Sequence, residues 1–259
     1  MVTRSTPWPA GTPCWVDCSF APAHRGMHHA QDFYEKLFGW DVRRDQTDED
    51  YLVCRKDDQP VAGLQHQYGG EAPPYWTTYF ATEDVEATCA AVTAAGGQVL
   101  TEPFDLPGLG RSAYCADSSG AFFGLWQAAG LLGAGLVNEP GAVTWNDLMT
   151  RDLEGSKAFY ASVFGYTYDD MGDAYVVAKL PTGRTVCGIH QAAQLPDEAP
   201  PSWLVHFAVA DRDSSAQIAQ ELGAQILMTM DTAYGPEALL QGKHGEIFSV
   251  IALADPPQE

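Results

Sequence analysis

The chain has 259 residues, of which 46% are hydrophobic and 19% charged, and its formal net charge is −20. This length suits one large domain or two small ones, and the hydrophobic fraction supports a buried core. A surface this acidic repels phosphate backbones and anionic lipid, so nucleic acids and membranes are not expected partners.

Cysteine usage and the N-terminus indicate the compartment. The six cysteines include no CxxC pair, and the segment Met1–Pro13 has no apolar stretch typical of a signal peptide. We therefore expect free, mostly buried thiols and a cytoplasmic protein. The apolar segment Ala121–Val137 is short and glycine-rich for a membrane span, which favours a buried strand followed by a linker.

The first quarter of the chain predicts a strand, a helix and two short strands. Alternation predicts a strand over Trp15–Phe20, and short strands are expected around Tyr51–Cys54 and Val61–Gln65. Gly39 lies where the helix is expected to stop. The helix between them has one apolar face, formed by Met27, Ala30, Phe33, Tyr34, Leu37 and Phe38.

The second quarter repeats this plan. A strand is predicted over Tyr75–Ala81, and Asp84 is a suitable N-cap for the helix that follows. Three further strands are expected near Gln98–Leu100, Ser112–Cys115 and Phe122–Gln127. The second quarter shows the full plan, and we predict a βαβββ module for each quarter.

The second half of the chain matches the first at an offset of about 125–130 residues. The segment Phe33–Trp40 matches Phe159–Tyr166, and Pro73–Trp76 matches Pro200–Trp203. We therefore predict one domain over residues 11–128 and a second over 141–253, joined by a linker over 129–140.

Four such modules predict an α+β fold with two concave mixed sheets. A ligand is expected in the concavity of a sheet. The sequence leaves the pairing of the modules open, because module one can share a sheet with module two or with module four.

Several motifs carry a family resemblance. They are the Trp-x-Asp that begins at Trp15, the FYEKLFGW of residues 33–40, the PGLGR of 107–111 and the DSSGAFFGLWQ of 117–127. These resemble the vicinal oxygen chelate superfamily of glyoxalases, bleomycin-resistance proteins and dioxygenases. More narrowly, the chain is similar to two-domain glyoxalase-like proteins of actinobacteria, some of which are labelled hydroxylases of aromatic polyketide pathways. Such a resemblance is specific for fold and weak for reaction.

The resemblance implies where a metal would be held, because the ligands of metal-dependent members lie on the first and last strands of the modules. None of the residues at those positions is a histidine or a carboxylate, the types that divalent metals need there. We therefore expect no metal and no cofactor. The positions are Trp15, Thr77, Trp145, Leu204, Gly124 and Ser249.

Three residues of the second half are candidates for catalysis: Asp147, His190 and His206. Asp147 and His206 each follow an implied ligand position, Trp145 and Leu204, by two residues and so share its strand face. His190 lies near the end of the last strand of module three. Two histidines and a carboxylate can hold iron or transfer protons, although they can also be polar groups that only line a pocket.

Further residues are expected to bind the ligand. Aromatic rings suit a flat aromatic ligand by stacking, and an arginine suits an anionic or carbonyl group. The alternative is that the rings fill the concave face and that the arginine pairs with a carboxylate. The predicted ligand-binding residues are Trp15, Asp17, Gln65, Trp76, Tyr79, Arg111, Trp145 and Trp203.

A histidine cluster lies at the start of the first helix. His24 and His28 are four residues apart and can share a helix face, next to His29. A solvated helix start is favoured over a metal site.

Three functional hypotheses follow. The first is a metal-independent enzyme that acts on a hydrophobic, aromatic secondary metabolite. The second is a non-catalytic protein that sequesters such a molecule, as in antibiotic resistance. The third is a metal-dependent oxygenase or lyase that uses Asp147, His190 and His206. In each case the expected partner is a small molecule, and the protein is expected to be a monomer or a homodimer.

Overall fold

The structure is a computed structural model that describes residues 4–21, 26–44, 51–67, 73–192 and 199–254. Within these ranges the chain forms sixteen strands and four helices in two matching halves. The first half contains β1 (Pro13–Phe20), α1 (Gly26–Phe38), β2 (Asp41–Arg44), β3 (Tyr51–Lys56), β4 (Gln59–His66), β5 (Tyr75–Ala81), α2 (Val85–Ala94), β6 (Gln98–Leu106), β7 (Gly110–Ala116) and β8 (Phe122–Ala128). The second half contains β9 (Val143–Thr150), α3 (Leu153–Phe164), β10 (Thr167–Asp170), β11 (Tyr175–Lys179), β12 (Thr185–Gln191), β13 (Ser202–Ala208), α4 (Arg212–Glu221), β14 (Gln225–Thr232), β15 (Gly235–Gln241) and β16 (Ile247–Ile251).

Each half forms one eight-stranded mixed sheet. The first sheet has the order β2-β3-β4-β1-β5-β8-β7-β6, and the second has the order β10-β11-β12-β9-β13-β16-β15-β14. Modules one and two therefore share a sheet, as do modules three and four, which answers the question that the sequence left open. The predicted fold class, α+β with two concave mixed sheets, is confirmed.

The hydrophobic core lies between the two sheets, together with the helices. One cluster joins Phe33 and Phe38 of α1 to Phe207 and Phe248 of the second sheet. A second cluster joins Phe80 and Phe123 of the first sheet to Phe159 of α3. Across the core, module one therefore packs on module four and module two on module three, and the other faces of the sheets point away from the core.

Local signals in the sequence explain where the helices begin and end. The side chains of Asp84, Asp152 and Asp211 cap α2, α3 and α4 by accepting hydrogen bonds from backbone N–H groups of the first turn. Gly165 ends α3 in the left-handed conformation, with φ of 71°, which a glycine adopts without strain.

The two halves are also joined by reciprocal hydrogen bonds. The indole N–H of Trp40 donates to the carbonyl oxygen of Gly141 over 2.6 Å, and the hydroxyl of Tyr166 donates to that of Gly11. Each aromatic residue follows the first helix of its half, and each glycine precedes the first strand of the other half. These bonds therefore fix how the two sheets sit relative to each other.

The segment between the sheets contains neither helix nor strand. It runs from residue 129 to residue 142, and Ala134 and Leu136 within it are buried. The six cysteines are all buried and free, as expected. None of the helices in the described ranges has the length and apolar character that a membrane crossing requires.

Candidate functional site

The outer face of each sheet is the face directed away from the core. Successive side chains of a strand point to opposite faces, so Val16 and Cys18 enter the core while Trp15 and Asp17 lie on the outer face. Leu148 enters the core in the same way, and its neighbour Asp147 lies on the outer face of the second sheet. Candidate residues of the two halves can therefore be compared position by position.

On the first sheet, a buried carboxylate is surrounded by neutral donors. Asp17 is 2% exposed and accepts hydrogen bonds from the hydroxyl of Tyr79 over 2.8 Å, from that of Tyr51 over 3.3 Å and from the amide of Gln65 over 3.1 Å. Burial raises the pKa of Asp17 to about 7, although these hydrogen bonds oppose the rise. The indole of Trp15 completes the network by donating to the hydroxyl of Tyr51 over 2.8 Å.

This first-sheet face is covered by the chain itself. Trp15 and Tyr79 belong to a hydrophobic cluster that also contains Trp8 of the N-terminal segment and Ala134 of the linker. The predicted residues Trp15, Asp17, Gln65 and Tyr79 are therefore brought together, but in a closed, internally satisfied network.

The second sheet repeats part of this network. Oδ1 of Asp147 accepts hydrogen bonds from the indole of Trp145 and the hydroxyl of Tyr175, each over 3.0 Å. Gly188 makes room for this arrangement, because a Cβ atom there would overlap both Oδ1 of Asp147 and the hydroxyl of Tyr175.

The second half differs from the first by a histidine between two carboxylates. Nε2 of His206 lies 3.1 Å from Oδ2 of Asp147, and Nδ1 lies 3.0 Å from Oε1 of Glu237. Ser249 donates a hydrogen bond of 2.5 Å to the same oxygen of Glu237. In the first half, the residue equivalent to His206 is Tyr79, and the residue equivalent to Glu237 is Ser112.

The carboxylates set the charge of this histidine. His206 is 6% exposed, and its burial alone would lower the pKa, but contact with Asp147 and Glu237 raises it to about 9. The pKa of Glu237 is lowered, because its contact with His206 outweighs the opposing effect of burial. His206 is therefore an imidazolium at neutral pH.

One hydrogen-bond donor of the cluster is left over. The contact of Nε2 with Asp147 is short, but its N–H is not aligned for a hydrogen bond, and no described residue accepts it. A buried donor without an acceptor costs about 1–3 kcal/mol. The cluster therefore has a donor to offer to a ligand atom that could reach it.

The second-sheet face is more open than its counterpart. Trp145 and Leu204 are half-buried, whereas the equivalent residues Trp15 and Thr77 are buried. The rim of the face is apolar and exposed, since Met228 and Tyr234 are each 52% exposed and Ile247 is 43% exposed. Met228 lies opposite Leu239 in the sheet, and Ile247 lies two residues before Ser249 on the same strand face.

Asp147 and His206 meet, but the third predicted catalytic residue does not join them. His190 packs its ring beside that of Tyr175, with centroids 6.1 Å apart. Within the described ranges, no group of three His, Cys, Asp or Glu side chains is placed to hold a metal ion. Asp147, His190 and His206 therefore do not form a set of metal ligands.

Two predicted ligand-binding residues lie in the core. Trp76 packs on Phe207, with ring centroids 5.1 Å apart, and Trp203 packs on Phe80 at 5.0 Å. Trp76 is three residues from Tyr79, so the alternation of one strand places the two side chains on opposite faces. This geometry places both tryptophans in the core, away from the outer faces of the sheets.

Arg111 also lies apart from both outer-face clusters. Its guanidinium forms ion pairs with Glu86 over 2.6 Å and with Asp105 over 2.7 Å. This is the carboxylate pairing that the sequence analysis gave as the alternative to ligand binding.

The histidines near α1 form a separate group. His24 lies outside the described residues, whereas His28 and His29 are exposed on α1. His29 stacks on His244, with centroids 5.5 Å apart.

Sequence reasoning missed Tyr175, Glu237 and the contact of Ser249 with Glu237. The internal repeat could have indicated Tyr175, since it occupies the position of Tyr51 in the other half. No sequence signal indicated Glu237, because the sequence around Pro236 departs from the expected pattern and the first half has a serine at the equivalent position.

The register also corrects two implied ligand positions, Leu204 in the second half and Thr77 in the first, where Trp15 pairs with Tyr79. Trp145 pairs with His206, and His206 pairs with Ser249, whereas Leu204 pairs with Asp147. Residues that share one metal must lie side by side, so His206 rather than Leu204 completes the row of implied positions. This row consists of Trp145, His206 and Ser249, which lie side by side on three neighbouring strands. Because a tryptophan and a serine flank the histidine, the row does not fit a divalent metal.

Comparison with known proteins identifies the family. The model of the Glyoxalase/Bleomycin resistance protein/Dioxygenase superfamily matches residues 24–125. Putative glyoxylase CFP32 of Mycobacterium tuberculosis is 35% identical over 261 residues, which cover 96% of this chain and 97% of that protein. The chain belongs to the glyoxalase/bleomycin resistance/dioxygenase superfamily.

Another relative that matches over nearly its full length is an anthracycline biosynthesis protein. Anthracycline biosynthesis protein DnrV of Streptomyces peucetius is 34% identical over 272 residues, which cover 98% of this chain and 96% of that protein.

Solved structures of a glyoxalase and a dioxygenase share the fold. The Mn(II)-bound glyoxalase from Novosphingobium aromaticivorans has a TM-score of 0.66 at 16% identity and covers 96% of this chain and 86% of its own. The 2,3-dioxygenase LapB from Pseudomonas has a TM-score of 0.64 at 13% identity, and the match covers 96% of this chain and 95% of LapB. At these identities the likeness concerns the fold alone.

Proposed function

We propose that the protein is a metal-independent enzyme that acts on a hydrophobic, polycyclic aromatic secondary metabolite at the outer face of its second sheet. The observation that carries the proposal is the buried Asp147–His206–Glu237 cluster beneath an open, apolar face. Apolar surface suits a flat ring system, and a charged imidazole at its floor suits an oxygen substituent of that ring.

The choice of ligand class rests on relatives of full length. DnrV of Streptomyces peucetius and DauV of Streptomyces sp. (strain C5), which is 33% identical, are both named anthracycline biosynthesis proteins. The exposed rim residues Met228, Tyr234 and Ile247 give such a ligand an apolar contact surface. The proposal of a metal-independent reaction rests on the row of implied metal-ligand positions, in which Trp145 and Ser249 flank His206.

In this proposal His206 is the proton donor. Asp147 and Glu237 keep it charged, and Trp145 and Tyr175 hold Asp147 in place through their hydrogen bonds. A positioned acid contributes about 10²–10⁴-fold to a rate, so orientation of the ligand by the face supplies the remainder.

A second candidate function is the non-catalytic binding of the same class of molecule. It is favoured by one observation: Nε2 of His206 is fully covered, so a ligand must displace a neighbouring side chain to reach it. The two functions share the face and differ in whether the ligand is changed.

The test is incubation with an anthracycline aglycone, followed by mass spectrometry of products and by fluorescence titration of binding. The variants are His206→Gln and, as a matched control, His28→Gln on the exposed surface of α1. Product from the wild type and the control, but about 10²-fold less from His206→Gln, supports the enzyme. Binding without any product supports the sequestering protein instead. Loss of turnover on chelation by EDTA would overturn the metal-independent assignment.

A further inference from the structure

Two carboxylates on the outer face of the second sheet are held apart by one ring. Asp147 and Glu237 contact opposite nitrogens of His206, at 3.1 Å and 3.0 Å. The side chains of all three residues are at most 16% exposed. Two buried carboxylates on either side of one ring repel each other unless a positive charge lies between them.

Each ring nitrogen lies against one of these carboxylates. A histidine binds a metal through the lone pair of one nitrogen, which an imidazolium lacks because both nitrogens carry protons. The ring also lies in the space where a shared ion would have to sit, so the carboxylates cannot both reach one metal while it is present.

We infer that the imidazolium of His206 is a resident cation, which neutralises Asp147 and Glu237 and keeps divalent metal ions out of the space between them. The inference deepens the metal-independence of the proposed function. It rests on the contacts of three side chains and not on the identity of a substrate.

The carboxylates have further anchors that do not depend on His206. Asp147 accepts hydrogen bonds from Trp145 and Tyr175, and Glu237 accepts one from Ser249. A small neutral residue at position 206 would therefore leave two carboxylates around a space once filled by the ring. Mg²⁺ and Mn²⁺ are the cations that such oxygen ligands prefer, with water completing the coordination.

The first half of the chain offers a matched control. Tyr79 occupies the position of His206, and Asp17 that of Asp147, but Ser112 replaces Glu237. Removing the Tyr79 side chain thus opens a space beside one carboxylate instead of two.

The experiment measures Mn²⁺ binding to the full chain by electron paramagnetic resonance of the free ion. The variants are His206→Ala, which removes the cation, His206→Lys, which retains one, and Tyr79→Ala. We expect His206→Ala to bind one Mn²⁺ per chain at least about tenfold more tightly than the wild type, His206→Lys or Tyr79→Ala. Circular dichroism shows which variants are folded, and His206→Ser serves as a second small neutral variant if His206→Ala is not.

Two results would overturn the inference. One is a stoichiometric Mn²⁺ in the wild type, since metal and imidazolium would then coexist. The other is no gain of Mn²⁺ by folded neutral variants, since the carboxylates would then need no cation. Neither result involves a substrate, so a wild type that excludes Mn²⁺ yet fails to act on an aglycone would refute the proposed function alone.

Discussion

Asp17 and Asp147 occupy equivalent positions on the first strands of the two halves, but only Asp147 lies beside a cation. The Tyr79 hydroxyl faces Asp17 over 2.8 Å, whereas His206 faces Asp147 over 3.1 Å. The same backbone position therefore holds a carboxyl group satisfied by neutral donors in one half and an ion-paired carboxylate in the other. This difference predicts different responses to pH.

Replacement of His206 by glutamine is expected to remove a pH dependence of stability on the alkaline side. The pKa of His206 is raised from 6.5 to about 9, so its stabilising effect is complete below pH 6.5 and is lost as the pH rises through 9. We expect the free energy of unfolding of the wild type to fall by about 2 kcal/mol over that interval. Urea denaturation at several pH values measures it, and a wild-type profile as flat as that of His206→Gln would contradict the assignment.

The variant Asp17→Asn is expected to change stability in a lower pH range. Burial raises the pKa of Asp17 from 3.8 to about 7, so folding favours the neutral acid. The wild type should therefore lose about 3 kcal/mol of stability as the pH rises from 4 to 7, and Asp17→Asn should not. Denaturation of the two proteins at pH 4, 5.5 and 7 tests this, and equal slopes would show that Asp17 is ionised throughout.

Gly188→Ala is expected to disturb the ligand face, and Gly63→Ala is its matched control. A methyl group at residue 188 would overlap Asp147 and the hydroxyl of Tyr175, and one at residue 63 would overlap the hydroxyl of Tyr51. Each should cost about 1–3 kcal/mol of stability. Only Gly188→Ala should weaken the binding of an anthracycline aglycone in a fluorescence titration. Equal losses of affinity in both variants would indicate a ligand site elsewhere.

A charge on the rim of the second-sheet face is expected to weaken ligand binding without unfolding the protein. Ile247 is 43% exposed on that rim, and Ile218 is 39% exposed on α4, outside it. Aspartate at either position should change stability by no more than about 0.5 kcal/mol. Ile247→Asp should lower the affinity for the aglycone by about tenfold, because a ring of the bound aglycone would then bury the charge of the aspartate. Unchanged affinity, or an equal loss in Ile218→Asp, would exclude this rim from the site.

Much of the fold could be predicted because the repeat and the periodicities are local. The apolar face of α1 is read from residues three and four apart, and the capping aspartates Asp84, Asp152 and Asp211 lie directly before their helices. Strand alternation also places Asp147 and His206 each two residues beyond an implied ligand position. These signals depend on neighbours in sequence, so the linear chain contains them.

The differences between expected and observed positions have equally specific causes. Trp76 and Trp203 were selected for their residue type, although their odd spacing from the polar outer-face residues assigns them to the core. Leu204 was selected by counting along one strand, and only the pairing of β9 with β13 shows that His206 lies opposite Trp145.

The sequence by itself determined four βαβββ modules, their division into two halves and the polar character of one strand face, because short-range periodicity encodes these features. Only the tertiary structure decided that Glu237, ninety residues after Asp147 along the chain, lies on the other side of His206. Only the tertiary structure showed that Trp8 and the linker close the first face while the second stays open. Both outcomes depend on strand order and on which segments pack over a face, and neither is a property of any local stretch of sequence.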